Sequence, residues 1–368
     1  MSLNKRIIYA CQGVAITSMG KGSVANDDMV HGVQSVGITT NFNLEQAFEL
    51  GQLEIYENIE GLPDIEVTLE RVLDGYSLMY HMATQGASDG NSLVSRSKAQ
   101  CDLRLGIFSE DADSIGAAGT GSSGNAEVEV YCSGMYVSSI SYTLPTDGNA
   151  TESLTLVGNN KKWLTGADVK ILDASANLFN GNDTPLALVP GSGGIQRRED
   201  IMISGCILPK SIQGVSGTGL GNGYDFSNST PTVHIQNVTI STDFSREDIN
   251  ELGRKTPYYR PAGFPIEVTC EIEAISVSGD FITALEEGNP ALNNSASSGN
   301  NTEEETIFFK TRCGYGWNLG TKNRLSSVSY GGGDAGGGNV SCSYSYTNFN
   351  KLEVQHSGTK VVTRLGLF

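Results

Sequence analysis

The chain has 368 residues, a formal net charge of -17 and 45 glycines, with only 18% of its residues charged. That balance excludes a protein whose affinity for nucleic acid comes from neutralising phosphates, because such binding needs Lys and Arg in excess. The glycines, with abundant Ser, Thr and Asn, favour short strands and turns over helices, and the length leaves room for two domains of ordinary size.

At the N-terminus, Lys5-Arg6 followed by Ile7 to Ala10 and Cys11 has the outline of a lipoprotein signal, but the apolar run is short and Gln12-Gly13 interrupts it. No stretch approaches ~20 apolar residues, so a soluble chain made in the cytoplasm is expected. Residues 5–19 alternate enough for a first strand or strand pair. Val33 to Phe42 reads as a strand with Val36, Ile38 and Thr40 on one face. Asn43 with Gln46 three residues on resembles a capping box, and Gly51 stands where a helix stops. A short helix is therefore expected, burying Leu44, Ala47 and Phe48. A long hairpin should follow, Leu53 to Ile59 and Ile65 to Leu73, turning at Glu60-Gly61-Leu62-Pro63. Asp74 is placed to cap a second helix from Tyr76 to Ala83. After a Gly-, Ala- and Ser-rich loop, Ser109 to Asn125, two closing strands are joined at Thr146-Asp147-Gly148-Asn149, where Asp-Gly signals a hairpin.

From about residue 200 the chain echoes itself. Val33 to Phe42 is answered by Ile235 to Phe244, and Glu49-Leu50-Gly51 by Glu251-Leu252-Gly253. Gly61 to Thr68 is answered by Gly263 to Thr269, Lys98 to Cys101 by Lys310 to Cys313, and Val137 to Tyr142 by Leu325 to Tyr330. The expected helices recur, one capped by Ser245 with Asp248, Ile249 and Leu252 and stopped at Gly253, the other running from Asp280 through Phe281 to Leu285. The second copy of the hairpin turns between Pro261 and Pro265, a polar loop spans Asn289 to Glu305, and the closing turn spans Gly331 to Gly338. Colinear echoes at this period imply two fused domains, 1–165 and 200–368, joined by 166–199 with Gly191-Ser192-Gly193-Gly194 as its flexible point. Fusion of two copies suits a symmetric assembly in which one chain fills two equivalent positions.

No constellation carries catalysis. His31, His81, His234 and His356 are scattered without metal-ligand spacing, and Cys-x-x-Cys is absent. Gly20-Lys21-Gly22-Ser23 lacks the upstream glycine of a phosphate loop, and Gly191-Ser192-Gly193 has no strand–turn–helix context. Paired carboxylates leave a glycan hydrolase formally open, but the acids are strung along one hairpin and Trp163 and Trp317 are the only tryptophans. Seven cysteines form no disulfide framework; buried thiols on strands in a reducing compartment are expected, with Cys101 and Cys313 equivalent and Cys11 and Cys206 a further pair. The one charge feature is acidic. Glu45, Glu49, Glu54, Glu57, Glu60, Asp64, Glu66, Glu70 and Asp74 face a single base, Arg71. They form either a solvated face or a surface built not to hold phosphate. Arg246, Arg254, Lys255 and Arg260 dilute the matching segment and are candidate partners for the acids of a neighbouring domain.

The succession of a strand, a capped segment ending in Glu-Leu-Gly, a long hairpin returning through Ile-Glu-Val-Thr, a small helix and a closing hairpin resembles the tail tube proteins of long-tailed bacteriophages. The resemblance covers about 5–165 and 200–355. It implies a mainly β chain of two tandem tail-tube-like β-sandwich or partial-barrel domains, each with short helices. It also implies rings stacked into a tube through which genome DNA leaves the capsid. The duplication departs from the usual single-domain subunit and matches fused pairs that assemble as trimeric rings of pseudo-sixfold symmetry. Implied partners are further copies of the chain, a tape measure, a terminator and a sheath where the tail contracts. DNA is a passenger, no cofactor is needed, and the place of action is the virion tail. A virion decoration or host-adhesion β-sandwich is the alternative; it would show an aromatic, non-acidic patch on a chain that stays monomeric.

Overall fold

The computed structural model describes residues 7, 12–51, 53–85, 92–108, 126–171, 194–212, 218–220, 223–225, 233–276, 304–331 and 338–355. The N-terminal elements are β1 (Gln12–Ser18), β2 (Val33–Asn41), β3 (Leu44–Phe48), β4 (Ile55–Glu60), β5 (Asp64–Val72), α1 (Met79–Ala83), α2 (Leu93–Arg96), β6 (Cys101–Ile107), β7 (Val128–Pro145), β8 (Thr151–Gly158) and β9 (Asn160–Thr165). The C-terminal ones are β10 (Ile207–Pro209), β11 (Thr218–Leu220), β12 (Gly223–Asp225), β13 (His234–Asp243), β14 (Glu267–Ile275), β15 (Phe308–Lys310), β16 (Gly316–Asn318), β17 (Arg324–Gly331), β18 (Ser341–Phe349) and β19 (Glu353–Gln355). The fold is mainly β, with antiparallel sheets.

The principal sheet runs β17-β18-β14-β13-β7-β8-β5-β2. Its central strands alternate: β5 reads exposed-buried from Asp64 to Arg71, and β14 and β18 bury every second residue. The buried face carries Val67, Leu69, Ile140, Leu154, Leu156, Val238, Ile240, Val268, Ile272 and Tyr344 in one continuous core. Burying each such side chain contributes on the order of 1.5–3 kcal/mol, so this alternation fixes the register of the sheet. Two smaller layers cover the core: β1-β6-β7-β9, and β11-β12-β10-β15-β16-β19. β7 serves both layers of the N-terminal part. Its first half pairs with β6 and β9 and its second with β8 and β13, and the change of direction falls at Gly134, whose φ is +65°. Asp102 holds that corner by accepting from Gly134 N (3.0 Å), Gly20 N (2.9 Å) and the Tyr131 hydroxyl (2.9 Å).

Three expectations need correction. First, Asn43 does not start a helix. It lies at φ +47° in a turn, its amide bonded to Asn41 Oδ1 and its Nδ2 to Leu62 O and Asp64 Oδ2, and β3 continues as a strand. Asn and Gly serve tight turns as readily as helix ends, and an eight-residue amphipathic helix needs a surface to pack on that is absent here. Ser245 repeats the turn at φ +43°, so the second expected cap is also a turn. Second, β4 does not form a hairpin with β5. It pairs with β3 as a separate two-stranded arm, while β5 pairs with β2 and β8. Third, Asp74 only accepts from Tyr76 N, and the helix begins at Met79. Its buried N-terminal donors are capped from a distance by the Glu152 carboxylate on β8, which accepts from Met79 N (2.9 Å) and Tyr80 N (3.1 Å). Among the described residues no α-helix occurs after Arg96.

The closing hairpins β7–β8 and β17–β18 form as expected. Val169 and Ile171, read as connection, are buried with Ala15, Met29, Phe108 and Ala126. The segments 281–285 and 289–303, the loop 109–125, the connection 172–193, Cys11 and His356 lie outside the described residues. The six described cysteines are buried and outside any disulfide; Cys101 opens β6, whereas Cys313 sits in the turn between β15 and β16.

Candidate assembly surfaces

Three surfaces remain once the core is accounted for. The first is the outer face of the principal sheet. Cross-strand neighbours there are Thr39–Glu66, Glu70–Ser153, Ser153–Ser141, Ser141–Ser241, Ser241–Thr269, Thr239–Glu271 and Glu271–Ser345. Hydroxyls therefore tile the face and carboxylates are set into it: Asp64, Glu66, Glu70, Asp243, Glu267, Glu271 and Glu273. The eight strands contribute two strong bases. Arg71 is fully buried, and Arg324 stands at the exposed start of β17.

The second surface is the β3–β4 arm, all of whose described residues except Ala47 are exposed. It holds Glu45, Glu49, Glu54, Glu57 and Glu60 beside exposed Leu44, Phe48, Leu50, Leu53, Ile55, Tyr56 and Ile59. The expected acidic cluster thus divides. Asp64, Glu66 and Glu70 lie on the sheet face, Glu45, Glu49, Glu54, Glu57 and Glu60 lie on the arm, and Asp74 follows β5, where it accepts from Tyr76 N. The base of the arm is pinched where Gly61 N meets Asn43 O; a Cβ at Gly61 would lie 2.5 Å from that oxygen, so glycine is required. Gly263 meets Ser245 O in the same way, at 2.9 Å.

The bases of the matching segment also divide. Arg260 is buried and bonds Asp248 and Asp64 (3.4 Å to the latter). Burial opposes its charge, Asp248 and then Asp64 favour it, and the net direction of its pKa is upward. Arg246 donates from Nε to Val137 O at 2.9 Å and lies over the rings of Tyr136 and Phe244; burial draws its pKa down to about 10. These two arginines therefore fasten residues 245–262 onto β7 and β5. Arg254 and Lys255 are exposed, Arg254 within 3.6 Å of Glu251.

The third surface comprises the two open edges. β2 pairs only with β5 and β17 only with β18 among the described strands. Sequence reasoning passed over Asp243, Glu267, Glu271, Glu273 and the edges themselves. The period-two pattern of Glu267 to Ile275 carried the signal for the glutamates.

No other site competes. His31 stacks on Tyr76 at 3.9 Å, and His81 Nε2 lies 2.9 Å from Val354 O. Among the described residues no cluster of His, Cys, Asp and Glu could hold a metal, and no helix is long and apolar enough to cross a membrane.

No family model and no curated protein matches the chain. Among solved structures it is similar to the anti-feeding prophage cap (AFP tube terminating cap), at 16% identity and TM-score 0.31 over 45% of this chain and 95% of that one. It is also similar to a chain of the PVC sheath-tube complex, an extracellular contractile injection system in the extended state, at 12% identity and TM-score 0.31 over 45% and 95%.

Proposed function

We propose that this chain is a structural subunit of a phage-type tail tube. It is two fused copies of one tube domain, three chains close a ring of pseudo-sixfold symmetry, and rings stack into a conduit. The observation that carries this reading is the strand order of the principal sheet. Four C-terminal strands and four N-terminal strands follow one another in corresponding order, first strand against closing strand, with an open edge of each kind at the two ends. A head-to-tail contact of this kind closes into a ring when its rotation divides the circle. The hydroxyl-and-carboxylate face is the proposed bore. With no exposed base except Arg324 it offers a phosphate backbone nothing to pair with, so DNA passes as cargo without a specific site. The exposed arms are the proposed contacts to stacked rings and to the other tail proteins, namely tape measure, terminator and, in a contractile tail, sheath. Catalysis and cofactors have no part in this function.

Electron microscopy of the purified protein at high concentration tests it. Hollow rods built from threefold rings are expected. A chain that stays monomeric by light scattering, folded by circular dichroism and unable to extend preformed tubes, overturns the proposal in favour of a decoration or adhesion module.

A further inference from the structure

The joint between β13 and β7 holds more information than the fact of pairing. Its register is antiparallel, with Asp243 opposite Ser139, Ser241 opposite Ser141 and Ile240 opposite Tyr142. Beyond the strand ends the same joint continues through Phe244 N to Ser138 O (2.8 Å) and Thr146 N to Gln236 O (2.9 Å).

The sequence echoes set β2 against β13 and β17 against β7, and independent irregularities agree with that assignment. The β2–β5 ladder slips between Val33 and Ser35, and the β13–β14 ladder slips between Ile235 and Asn237, their echoes. The β7–β8 ladder slips between Val137 and Ser139, and β17–β18 between Leu325 and Ser327. Bulges change the twist and direction of a strand locally, so two ladders that share them present edges of the same shape.

Exposure then separates the used edges from the unused ones. Phe244 and Tyr142 are 0% exposed at the joint, whereas their echoes Phe42 and Tyr330 are 61% and 53% exposed. β2 also lacks the side chains that keep an edge from pairing. It has no charged residue and no proline along its length, and β17 has only Arg324 at its start. A groove of about 550 Å³, lined in part by Val14, Val30, Val33 and Val36, opens beside the first half of β2.

We propose that β2 of one copy pairs with β17 of a second copy in the register of the internal joint. Thr39 lies opposite Ser329, Asn41 opposite Ser327 and Ile38 opposite Tyr330, and Phe42 N donates to Ser326 O. The second copy is the occupant because, among the described strands, the one seated on the equivalent edge is the chain's own β7, and β17 is the strand that echoes it. This rests on the tube reading and adds the atomic register of its copy-to-copy contact. The pairing buries Phe42 and Tyr330 and uses up both open edges of every chain in a closed ring.

The test is a pair of double-cysteine variants oxidised with diamide under ring-forming conditions. Thr39 and Ser329 are exposed, and their echoes Ser241 and Ser141 face each other at a position between the hydrogen-bonded pairs, where antiparallel Cα atoms lie about 4.5 Å apart. Thr39→Cys/Ser329→Cys is expected to give dimer and trimer bands on non-reducing gels. Thr39→Cys/Ser327→Cys, two residues out of register, is expected to cross-link at least tenfold more slowly, and each single variant not at all in this series. Rings that form by microscopy while the matched pair cross-links no faster than the shifted pair overturn the register and leave the tube reading standing. Absence of rings in the parent protein overturns the tube reading itself.

Discussion

Replacing Arg71 by methionine should be among the most damaging single changes in the chain. The Arg71 guanidinium meets the Glu152 carboxylate at 3.0 Å with both side chains wholly buried. It also donates to Ser77 O (2.8 Å), Tyr76 O (3.2 Å) and the Tyr315 hydroxyl (3.4 Å). Burial opposes the arginine's charge, Glu152 foremost among its neighbours favours it, and the net pKa direction is upward, so the arginine stays charged across any practical pH. Removing one member of a buried pair costs about 3–5 kcal/mol, because the other charge is left in low dielectric. The lower end applies here, since Glu152 keeps Met79 N, Tyr80 N and the Tyr142 hydroxyl (3.2 Å) as donors. At roughly 2–4 °C per kcal/mol for a domain of 150–250 residues, about 3 kcal/mol lowers the melting temperature by roughly 6–12 °C. Thermal melts followed by circular dichroism should show that fall for Arg71→Met and a similar one for Glu152→Met. The double variant should fall by much less than the sum, a coupling of about 2 kcal/mol or more. An Arg71→Met melt within about 2 °C of the parent, or strictly additive losses, refutes the reasoning.

Further outcomes are expected from other parts of the molecule. Glu305 is buried, accepting from Ser211 N at 3.1 Å, and desolvation raises its pKa. An acid whose folded pKa exceeds its unfolded value of 4.5 costs stability as pH rises from that value through the folded one. Glu305→Gln should therefore melt above the parent at pH 7.5 and lose that advantage at pH 4. Gly61→Ala drives a Cβ into Asn43 O and should cost about 1–3 kcal/mol, read as faster limited proteolysis within residues 43–62. Burial raises the thiol of Cys206 to about 12 and that of Cys132 to about 11, so both should resist iodoacetamide in the native chain and react once it is unfolded. Finally, on the proposed tube reading, tubes carrying Glu66→Lys, Glu70→Lys and Glu271→Lys should retain DNA in filter binding, with affinity falling steeply as salt rises; retention equal to that of parent tubes removes the electrostatic role of the proposed bore.

The strands of the principal sheet were legible because each buries one face, and a period of two survives substitution. The arm was not. Asn43, Gln46 and Gly51 satisfy the local rules for a helix, and nothing in the sequence announces that Leu44 and Phe48 have no core to face. The choice between helix and ribbon is made by packing, not by propensity. The return strand shows a subtler failure. The Ile-Glu-Val-Thr echo aligns Thr68 with Thr269, yet Thr68 lies opposite Gly37 while Thr269 lies opposite Ser241, the echo of Thr39. The register therefore matches Thr269 with Glu66, two residues away. A shift of two keeps every side chain on its own face, so hydropathy cannot detect it. The acidic cluster was visible as composition, but its division between arm and sheet face depends on which strand pairs with which.

The differences between the two arm segments follow from the same joint. Residues 245–262 sit beside β7 of their own chain, and Arg246 and Arg260 hold them there through Val137 O, Asp248 and Asp64. The equivalent positions of the first arm bear no arginine, and its base is held by Asn43, Gly61 and Asp64, with Asn159 donating to Pro63 O (2.9 Å). Under the proposed register that arm meets β17 of another copy. A clamp of buried arginines there would have to desolvate charge each time two copies meet, a cost that a covalently joined pair meets once, on folding. On the proposed reading, fusion lets one joint of each pair be built with charged, buried contacts while the other stays neutral and reversible. Transplanting the clamp with Leu44→Arg should accordingly weaken ring formation, and a variant that assembles more tightly than the parent would show that the neutral joint has some other origin.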